Sequence, residues 1–260
     1  MKIVLCIKQV PDTSDIKWTE NNTIQREGLE SILNPYDVYS LDSVVKFKKD
    51  NPGVEISAIT MGPKQAETVL RKAVSVGVDR GILLSDKKFS GADTYATGKT
   101  IASAIKSKLS DYDLIVCGQF AVDGDTAQTG PSIANFLGIP QVTYVSRILE
   151  CDGNALTVLR EFDEGLETVK VKLPALICML KGDYETVRAS INGVKNAQKT
   201  EIITYNFEDI GLLSEDVGLK GSPTYVSKAF RASGRDVTCE FLEDVEKLSS
   251  IIKEGGFLHE

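Results

Sequence analysis

The sequence contains few of the side chains on which most enzyme mechanisms depend. It has one histidine, His259, so neither a Ser/His/Asp triad nor a histidine metal site is expected. Its five cysteines are scattered without a CxxC pair, which indicates buried, reduced thiols and no zinc site, iron–sulfur cluster or disulfide framework. The usual ATP and dinucleotide fingerprints, GxxxxGK(S/T) and a strand-linked GxGxxG, are missing too. We therefore expect no catalytic side chains and no metal, although a bound cofactor could carry the chemistry itself.

Three further absences restrict where the protein works and what it binds. No apolar run approaches the roughly 20 residues of a membrane span, and the N-terminal MKIVLCIKQV lacks the features of a signal peptide. Basic residues are not in excess: 30 Lys+Arg against 37 Asp+Glu give a formal charge of −7, which argues against a nucleic-acid surface. With 42% hydrophobic residues, a globular, cytoplasmic protein with a sizeable core is expected.

The first 140 residues alternate between short apolar runs and helical periodicity. Apolar runs predict buried strands at 2–7, 54–60, 81–84 and 113–117. Helices are predicted from Tyr36 to Lys48, over 66–76 with Gly77 as C-terminal cap, and from Asp93 or Thr94. Because this alternation with fully apolar strands is typical of a parallel sheet covered on both faces, we expect an α/β fold with a doubly wound, mostly parallel sheet.

After Pro140 the pattern changes. Alternating segments separated by turn sequences predict an antiparallel β-meander, with strands at 142–150, 155–162 and 166–172. The last sixty residues hold isolated apolar positions and a helix-like stretch at 240–254. Because this tail buries too little of itself to form a domain, we expect an extended C-terminal arm that lies across another surface.

The segment from Gly118 to Pro131 is the densest in binding chemistry. It follows an apolar strand and precedes a helical pattern, so it lies at the carboxyl end of a parallel strand and at a helix N-terminus. Both places favour anions, through free backbone N–H groups and the helix dipole. The residues suited to a phosphate are Thr126, Thr129 and Ser132, through their hydroxyls, and Gly124 and Gly130, through close backbone approach.

A loop without a ligand is the alternative. Asp123 and Asp125 oppose an anion unless they face away, and Asp and Thr are also ordinary turn and cap residues. Lys8, at the end of the first strand, is expected at the same edge of the sheet. It would either help to hold a nucleotide or be a plain exposed strand terminus.

Taken together, these segments resemble the beta subunit of electron-transfer flavoproteins. The resemblance runs from residue 1 to about residue 230, and the GQ…DGDTAQTG segment is highly specific to that family. The residues that carry it are KIVLCIKQVPDT, ILNPYD, ETVLRKAVSVGVDRGILL, CGQFAVDGDTAQTGP, LREFDEGLETVKVKLPAL and GLKGSPT. The family fold is similar to adenine-nucleotide alpha-hydrolase-like sandwiches, which agrees with the alternation above.

The resemblance implies a heterodimer and a bound adenine nucleotide. An alpha subunit would carry a flavin, and this chain would bind its nucleotide between the first strand and the DGDTAQTG loop. In the simple carriers of the family that nucleotide is a structural AMP. In the electron-bifurcating branch it is a second FAD, which accepts a hydride from NADH. One electron then goes to a ferredoxin or flavodoxin and the other, through the alpha-subunit FAD, to an acyl-CoA dehydrogenase or related flavin dehydrogenase.

One motif favours the bifurcating branch. Residues 91–97, GADTYAT, resemble its GSDTxAT pattern, in which the Thr94 hydroxyl could hydrogen-bond a flavin edge with Tyr36 nearby. The alternatives are a helix N-cap for Asp93 or Thr94 and a helix-start residue for Tyr36. We therefore expect FAD here, NADH as the donor, and turnover only within a complex, with an AMP-binding scaffold subunit as the second hypothesis. A stand-alone universal-stress-like protein is disfavoured by the meander, by residues 188–197, which resemble a recognition loop of the family, and by the arm.

The nucleotide site that the resemblance implies draws on four parts of the chain: the first strand, the NPYD motif, Thr94 and the DGDTAQTG segment. Its expected residues are Cys6, Ile7, Lys8, Asn34, Tyr36, Asp37, Thr94, Cys117, Gly118, Gln119, Val122, Asp123, Gly124, Asp125, Thr126, Ala127, Gln128, Thr129 and Gly130.

Residues 188–197 resemble the recognition loop with which the family docks onto its dehydrogenase. Ile191 occupies the position of the apolar anchor; the alternative is a strand-end residue that packs on the meander. Glu161 or Glu164 of a meander turn could lie near the alpha-subunit flavin or be a solvated turn acid. We expect a nucleotide-binding domain over 1–225, with the meander at about 142–190, and an arm over 226–260 that contacts the alpha subunit.

Overall fold

The computed structural model of the chain describes residues 1–12, 31–181, 186–227, 241–242 and 244–255. Within these ranges there are eleven strands and seven α-helices. The strands are β1 (Lys2–Cys6), β2 (Gln9–Pro11), β3 (Ser31–Leu33), β4 (Glu55–Met61), β5 (Arg80–Leu84), β6 (Leu114–Gly118), β7 (Gln141–Cys151), β8 (Ala155–Phe162), β9 (Gly165–Lys172), β10 (Ala175–Met179) and β11 (Ile202–Tyr205). The helices are α1 (Pro35–Asp50), α2 (Glu67–Val76), α3 (Thr94–Lys108), α4 (Thr129–Leu137), α5 (Ile191–Lys199), α6 (Gly218–Gly221) and α7 (Val245–Glu254).

Nine of these strands form one sheet in the order β11-β5-β4-β1-β6-β10-β7-β8-β9. Every neighbouring pair from β11 to β7 is parallel, and β8 and β9 continue the sheet in the antiparallel sense. Strands β2 and β3 form a separate antiparallel pair. The predicted α/β fold with a large, mostly parallel sheet is therefore confirmed.

The inner strands of the parallel part, β4, β5, β1, β6 and β10, are buried on both faces, as their continuous apolar sequences predict. Alternate side chains of β1 point to opposite sides, so Ile3 and Leu5 belong to one apolar core and Val4 to the other. Helices α1 and α2 cover the first face, and α3 and α4 cover the second. The helices therefore lie on both sides of the sheet, which is the doubly wound arrangement.

The meander differs from the prediction in how it joins the rest of the molecule. It is expected at about 142–190, but its antiparallel part ends with β9, and β10 returns to pair in parallel between β6 and β7. The meander is thus an extension of the main sheet. The run ALICM in β10 is fully apolar because this strand lies inside the sheet.

Helix boundaries agree with the cap residues seen in the sequence. Asp93 is the N-cap of α3, where its carboxylate accepts the Ala96 N–H at 2.9 Å, and Gly77 follows α2 with φ 130°. The segment predicted as a recognition loop, 188–197, differs, because from Ile191 onward it belongs to α5. The reason is local, because the Ser190 hydroxyl accepts the Gly193 N–H and caps a new helix.

The chain divides into two units, Met1–Ser227 and Lys228–Glu260. In the second unit α7 carries Val245, Leu248 and Ile251 at helical spacing, and all three side chains are exposed. The single histidine, His259, and one of the five cysteines, Cys239, lie outside the described residues.

Candidate functional site

The carboxyl ends of the neighbouring strands β1 and β6 meet the start of α1. Gly118, the last residue of β6, lies so close to the helix that a Cβ there would overlap the Asp37 carboxylate and stand 3.1 Å from the Tyr36 carbonyl carbon. The first turn of α1 can therefore rest on the strand ends only because residue 118 is glycine.

Asp37 joins the two strand ends through its buried carboxylate. It accepts the backbone N–H of Lys8 at 2.7 Å and the backbone N–H of Gly118. Burial raises the pKa of Asp37 to about 7, although these hydrogen bonds and the Asn34 side chain lower it. The carboxyl group therefore titrates near neutral pH while it holds the strand ends.

Asn34 ties the loop after β6 to the end of β1. Its side-chain amide donates to the Phe120 carbonyl at 2.8 Å and accepts the Val122 N–H at 3.2 Å, while its own backbone N–H donates to the Lys8 carbonyl at 2.9 Å. The residue is only 1% exposed. One buried side chain thus satisfies two backbone groups of the loop and fixes where the loop starts.

Beyond these contacts the loop is exposed to solvent. The backbone N–H groups of Gly124 and Asp125 both donate to the Ala121 carbonyl, which forms a tight turn. Asp125 and Ala127 have φ values of 48° and 55°, in the left-handed region that non-glycine residues rarely adopt. Most of 122–128 is exposed, Thr126 included, so a ligand can reach this loop.

The loop ends at the N-terminus of α4, which packs on the sheet. A Cβ at Gly130 would overlap the Cys178 sulfur, so the first turn lies directly on β10. Gln128 stands at the N-cap but makes no capping hydrogen bond; its side-chain oxygen accepts the Thr94 hydroxyl at 2.9 Å. The first turn of α4, with Thr129 as its first residue, therefore keeps the uncapped amides that favour an anion.

Lys8 and Asp123 form an ion pair across the site, with 2.8 Å between Lys8 Nζ and Asp123 Oδ1. A negative charge at Asp123 would oppose a bound anion. In the structure this charge is balanced by Lys8 at the end of β1. The Lys8 ammonium group thereby joins the end of β1 to the loop.

The side chains of Cys6 and Cys117 are buried in the core beneath α4 with Cys178, so only the backbone of these two residues faces the strand ends. The neighbouring Cys6 side chain and burial raise the pKa of the Cys117 thiol, and burial raises that of Cys178. Such thiols are unreactive. Among the described residues, no group of His, Cys, Asp and Glu side chains is arranged to hold a metal ion.

An aromatic cluster that was not predicted from the sequence lies beside the site. The Phe120 ring packs edge-on against Tyr36, with 5.2 Å between centroids, and against Tyr144 at 6.0 Å. Tyr144 adopts φ 59°, and its N–H donates to the side-chain oxygen of the buried Gln119 at 2.7 Å. The Gln119 N–H in turn donates to Met179 at the end of β10. The only sequence pattern related to this cluster is the apolar run of β10, the strand that lies between β6 and β7.

A second missed contact lies at the start of α3. The Asp93 carboxylate accepts both the backbone N–H and the hydroxyl of Thr224, and the Asp93 N–H donates to the Ser222 hydroxyl. Although partial burial raises the pKa of Asp93, its hydrogen bonds outweigh this and lower the pKa overall. The GSPT sequence at 221–224 is therefore held next to Thr94.

Three of the predicted residues, Ile191, Glu161 and Glu164, lie away from the strand ends. Ile191 is the first residue of α5, which packs on α2, and its side chain is 77% exposed. It does not pack on the meander. Glu161 and Glu164 are exposed at the β8–β9 turn.

The chain is similar along most of its length to proteins of one family. Residues 21–210 match the family described as Electron transfer flavoprotein domain. A subunit of the caffeyl-CoA reductase–Etf complex, CarD, from Acetobacterium woodii is 42% identical over 98% of both chains. The electron transfer flavoprotein subunit beta of Clostridium acetobutylicum is 44% identical over 88% of this chain and 87% of its own. Protein FixA of Sinorhizobium fredii is 40% identical over 95% and 89%.

The DGDTAQTG segment, on which the resemblance to this family depends, forms the loop between β6 and α4. No helix among the described residues is long and apolar enough to cross a membrane. The chain belongs to the electron transfer flavoprotein family and is of the beta-subunit type.

Proposed function

We propose that the chain is the beta subunit of an electron-bifurcating flavoprotein complex, with FAD bound in this chain and NADH as the electron donor. The hydrogen bond from the Thr94 hydroxyl to Gln128 carries the proposal, because it joins the GADTYAT motif to the nucleotide loop. The relative whose name places it in a caffeyl-CoA reductase–Etf complex supports a partner enzyme that acts on acyl-CoA thioesters. The four free cysteines among the described residues support a reduced, cytoplasmic setting.

The residues at the strand ends fit a dinucleotide. The uncapped first turn of α4 offers backbone N–H groups to its phosphates, with the hydroxyls of Thr126 and Thr129 in the same stretch. Thr94 donates its hydroxyl hydrogen to Gln128 and keeps its acceptor lone pairs for a donor on the ligand's ring edge. Asn34 and Asp37 hold the loop and strand ends in place.

When bound, FAD supplies the redox chemistry, taking a hydride from NADH and passing electrons to a ferredoxin or flavodoxin and to the alpha-subunit flavin. The side chains of this chain bind and orient the cofactor. Their hydrogen bonds and buried charges, such as the Asp37 carboxyl, set the polarity of its surroundings. No side chain of this site is assigned as a general acid or base.

Two surfaces are assigned to partners. Ile191, exposed at the start of α5, is the proposed anchor for the flavin dehydrogenase, an acyl-CoA dehydrogenase or a related enzyme. Residues 226–260 are the proposed arm to the alpha subunit. The exposed apolar stripe of α7 supports this second assignment, because an amphipathic helix needs a surface on which to bury its stripe.

A carrier subunit that binds structural AMP is the second candidate. The contacts of Lys8, Asn34 and Asp37 favour it, because all of them lie at the ends of β1 and β6 and none involves Thr94. A mononucleotide could use this part of the site alone.

Nucleotide content of the purified alpha–beta heterodimer separates the two candidates. We expect two FAD and no AMP per heterodimer, measured by acid extraction, absorbance and chromatography. Thr94→Ala should lower FAD retention in this chain, whereas Thr94→Ser, which keeps the hydroxyl, should retain it. One FAD with one AMP would establish the carrier and contradict the role of Thr94.

A further inference from the structure

Helix α5 carries the proposed docking residue but is too short to be stable by itself. It has nine residues, and isolated helices shorter than about 12 residues are marginal in water. Only Ala197 of α5 is buried, while Ile191 and Val194 are 77% and 44% exposed. Contacts from other elements must therefore keep this segment helical.

The segment that leads into α5 is tethered by α1. Asp42 is 2% exposed, and its Oδ1 accepts the Val187 N–H at 3.0 Å, four residues before Ile191. Among the described residues, Oδ2 of the same carboxylate has no hydrogen-bond partner. A buried carboxylate with one hydrogen bond among the described residues is costly, and burial raises its pKa despite the nearby charges of Lys72 and Lys49, so packing alone does not explain it. Its visible contact is with the backbone that positions α5.

The other end of α5 is tethered by α2. The Arg71 guanidinium donates from Nη1 to the carbonyl oxygens of Ala197 and, at 3.3 Å, Thr200, which belong to the last turn and the C-cap. Glu67, one turn earlier on α2, orients Arg71 by accepting its Nε–H at 2.7 Å. A cation at the carbonyl end of a helix satisfies orphan acceptors and opposes the helix dipole.

Between the two tethers the packing is uneven. Gly193 lies so close to α2 that a Cβ would overlap the Ser75 carbonyl oxygen. Beside that contact, Ser190, Gly193 and Asn196 line a cavity of about 420 Å³, with Lys48 and Asp79 opposite. The first turn of α5 therefore borders this cavity. Because few side chains pack there, hydrogen bonds must keep the helix in position.

We infer that α5 is a preformed docking helix, and that Asp42 and Arg71 are positioning residues that fix it for the partner enzyme. The inference rests on the proposed docking role of Ile191. Because the helix exists before the partner arrives, binding does not have to order it, and affinity is gained from that preorganisation.

The test uses the whole heterodimer and its partner dehydrogenase. Asp42→Ala should raise KM for the dehydrogenase about tenfold, with kcat and nucleotide content unchanged. Asp42→Asn keeps an oxygen that accepts the Val187 N–H and should restore the wild-type KM. Asp50→Ala, an exposed residue of the same helix, is the matched control and should have no effect. If Asp42→Asn is as defective as Asp42→Ala, or Asp42→Ala has the wild-type KM, Asp42 does not position α5.

Hydrogen exchange of the free heterodimer tests the preformed helix itself. The amides of Val194 to Thr200 should be protected, and Arg71→Ala should raise their exchange rate at least tenfold, with less effect in Arg71→Lys, which keeps a donor. Full exchange in the wild type would overturn the inference, because α5 would then fold only on binding. Ile191→Ala tests the proposed docking role separately from the preformed helix. A normal KM for the dehydrogenase in this variant would reject the docking role, whatever the exchange data report.

Discussion

The carboxyl edge of the sheet and helix α5 present functional residues in opposite ways. At the sheet edge the organising side chains are buried: Asn34 joins the loop to β1, and Asp37 joins β1 to β6. At α5 the proposed docking side chain, Ile191, is mostly exposed, and Asp42 and Arg71 contact only the backbone on either side of it.

The difference separates stability from binding. A buried polar group that loses its partner costs free energy of folding, whereas an exposed apolar side chain contributes little to folding and is available to a partner. Substitutions at the sheet edge should therefore change stability and ligand binding together. Substitutions on the outer face of α5 should change binding alone.

The largest expected effect is that of Asn34→Ala. It leaves the Phe120 carbonyl and the Val122 N–H without their buried partner, so the free energy of unfolding should fall by about 2–4 kcal/mol and the nucleotide should be lost on dialysis. Denaturant titration and nucleotide extraction measure the two effects. Asn192→Ala, an exposed Asn on α5, should change stability by less than about 0.5 kcal/mol. Equal losses of stability in both variants would contradict the proposed difference between the sheet edge and α5.

Gly118→Ala should cost about 3 kcal/mol, at the upper end of overpacking effects, because the new methyl group meets the Asp37 carboxylate and backbone. Nucleotide retention should fall with it. Gly124→Ala is the matched control in the same loop, since a Cβ there meets nothing within 4 Å. Thermal or denaturant unfolding of the pair decides whether the close approach at residue 118 is required.

The pH dependence of stability should reveal Asp37. Its folded pKa of about 7 lies above the ordinary value of 3.8, so its stabilising contribution is complete below about pH 4 and is lost as pH rises through 7. Between pH 5.5 and 8 the free energy of unfolding should fall by about 2 kcal/mol more in the wild type than in Asp37→Asn. Parallel pH profiles for the two proteins would show that Asp37 does not titrate in this range.

Ile191→Ala should have the smallest effect on stability, less than about 0.5 kcal/mol, because the side chain is already exposed. KM for the partner dehydrogenase should rise about tenfold, or about 1.4 kcal/mol, while flavin content stays constant. Steady-state kinetics with the heterodimer measure this. A large loss of stability would mean that α5 is not the independent surface that the comparison requires.

The parts of the fold that could be predicted are those with a local signal. Continuous apolar runs identify β1, β4, β5 and β6, and cap residues such as Asp93 and Gly77 locate helix ends to within a residue or two. The run of β10 carries the same signal but follows a meander, and its place between β6 and β7 depends on pairing with strands far away in sequence. Strand β11 is a four-residue edge strand that also pairs at long range.

The candidate site divides in the same way. The DGDTAQTG loop and the GADTYAT motif are recognisable in the sequence, but the contact between Thr94 and Gln128 exists only because α3 and α4 lie side by side. Phe120 and Tyr144 were missed because neither residue is unusual locally, and the cluster forms because β6 and β7 flank β10 in the sheet.

By itself the sequence determined the alternation of strands and helices, the family and the candidate binding loop, because periodicity, turn residues and a dense motif are local properties. Tertiary structure alone decided that Lys8 pairs with Asp123, 115 residues away, and that Asp42 holds the backbone of Val187, 145 residues away. The physical reason is that burial and hydrogen-bond partners depend on which elements are adjacent in space. Only the folded sheet and its helices make these charges and amides neighbours.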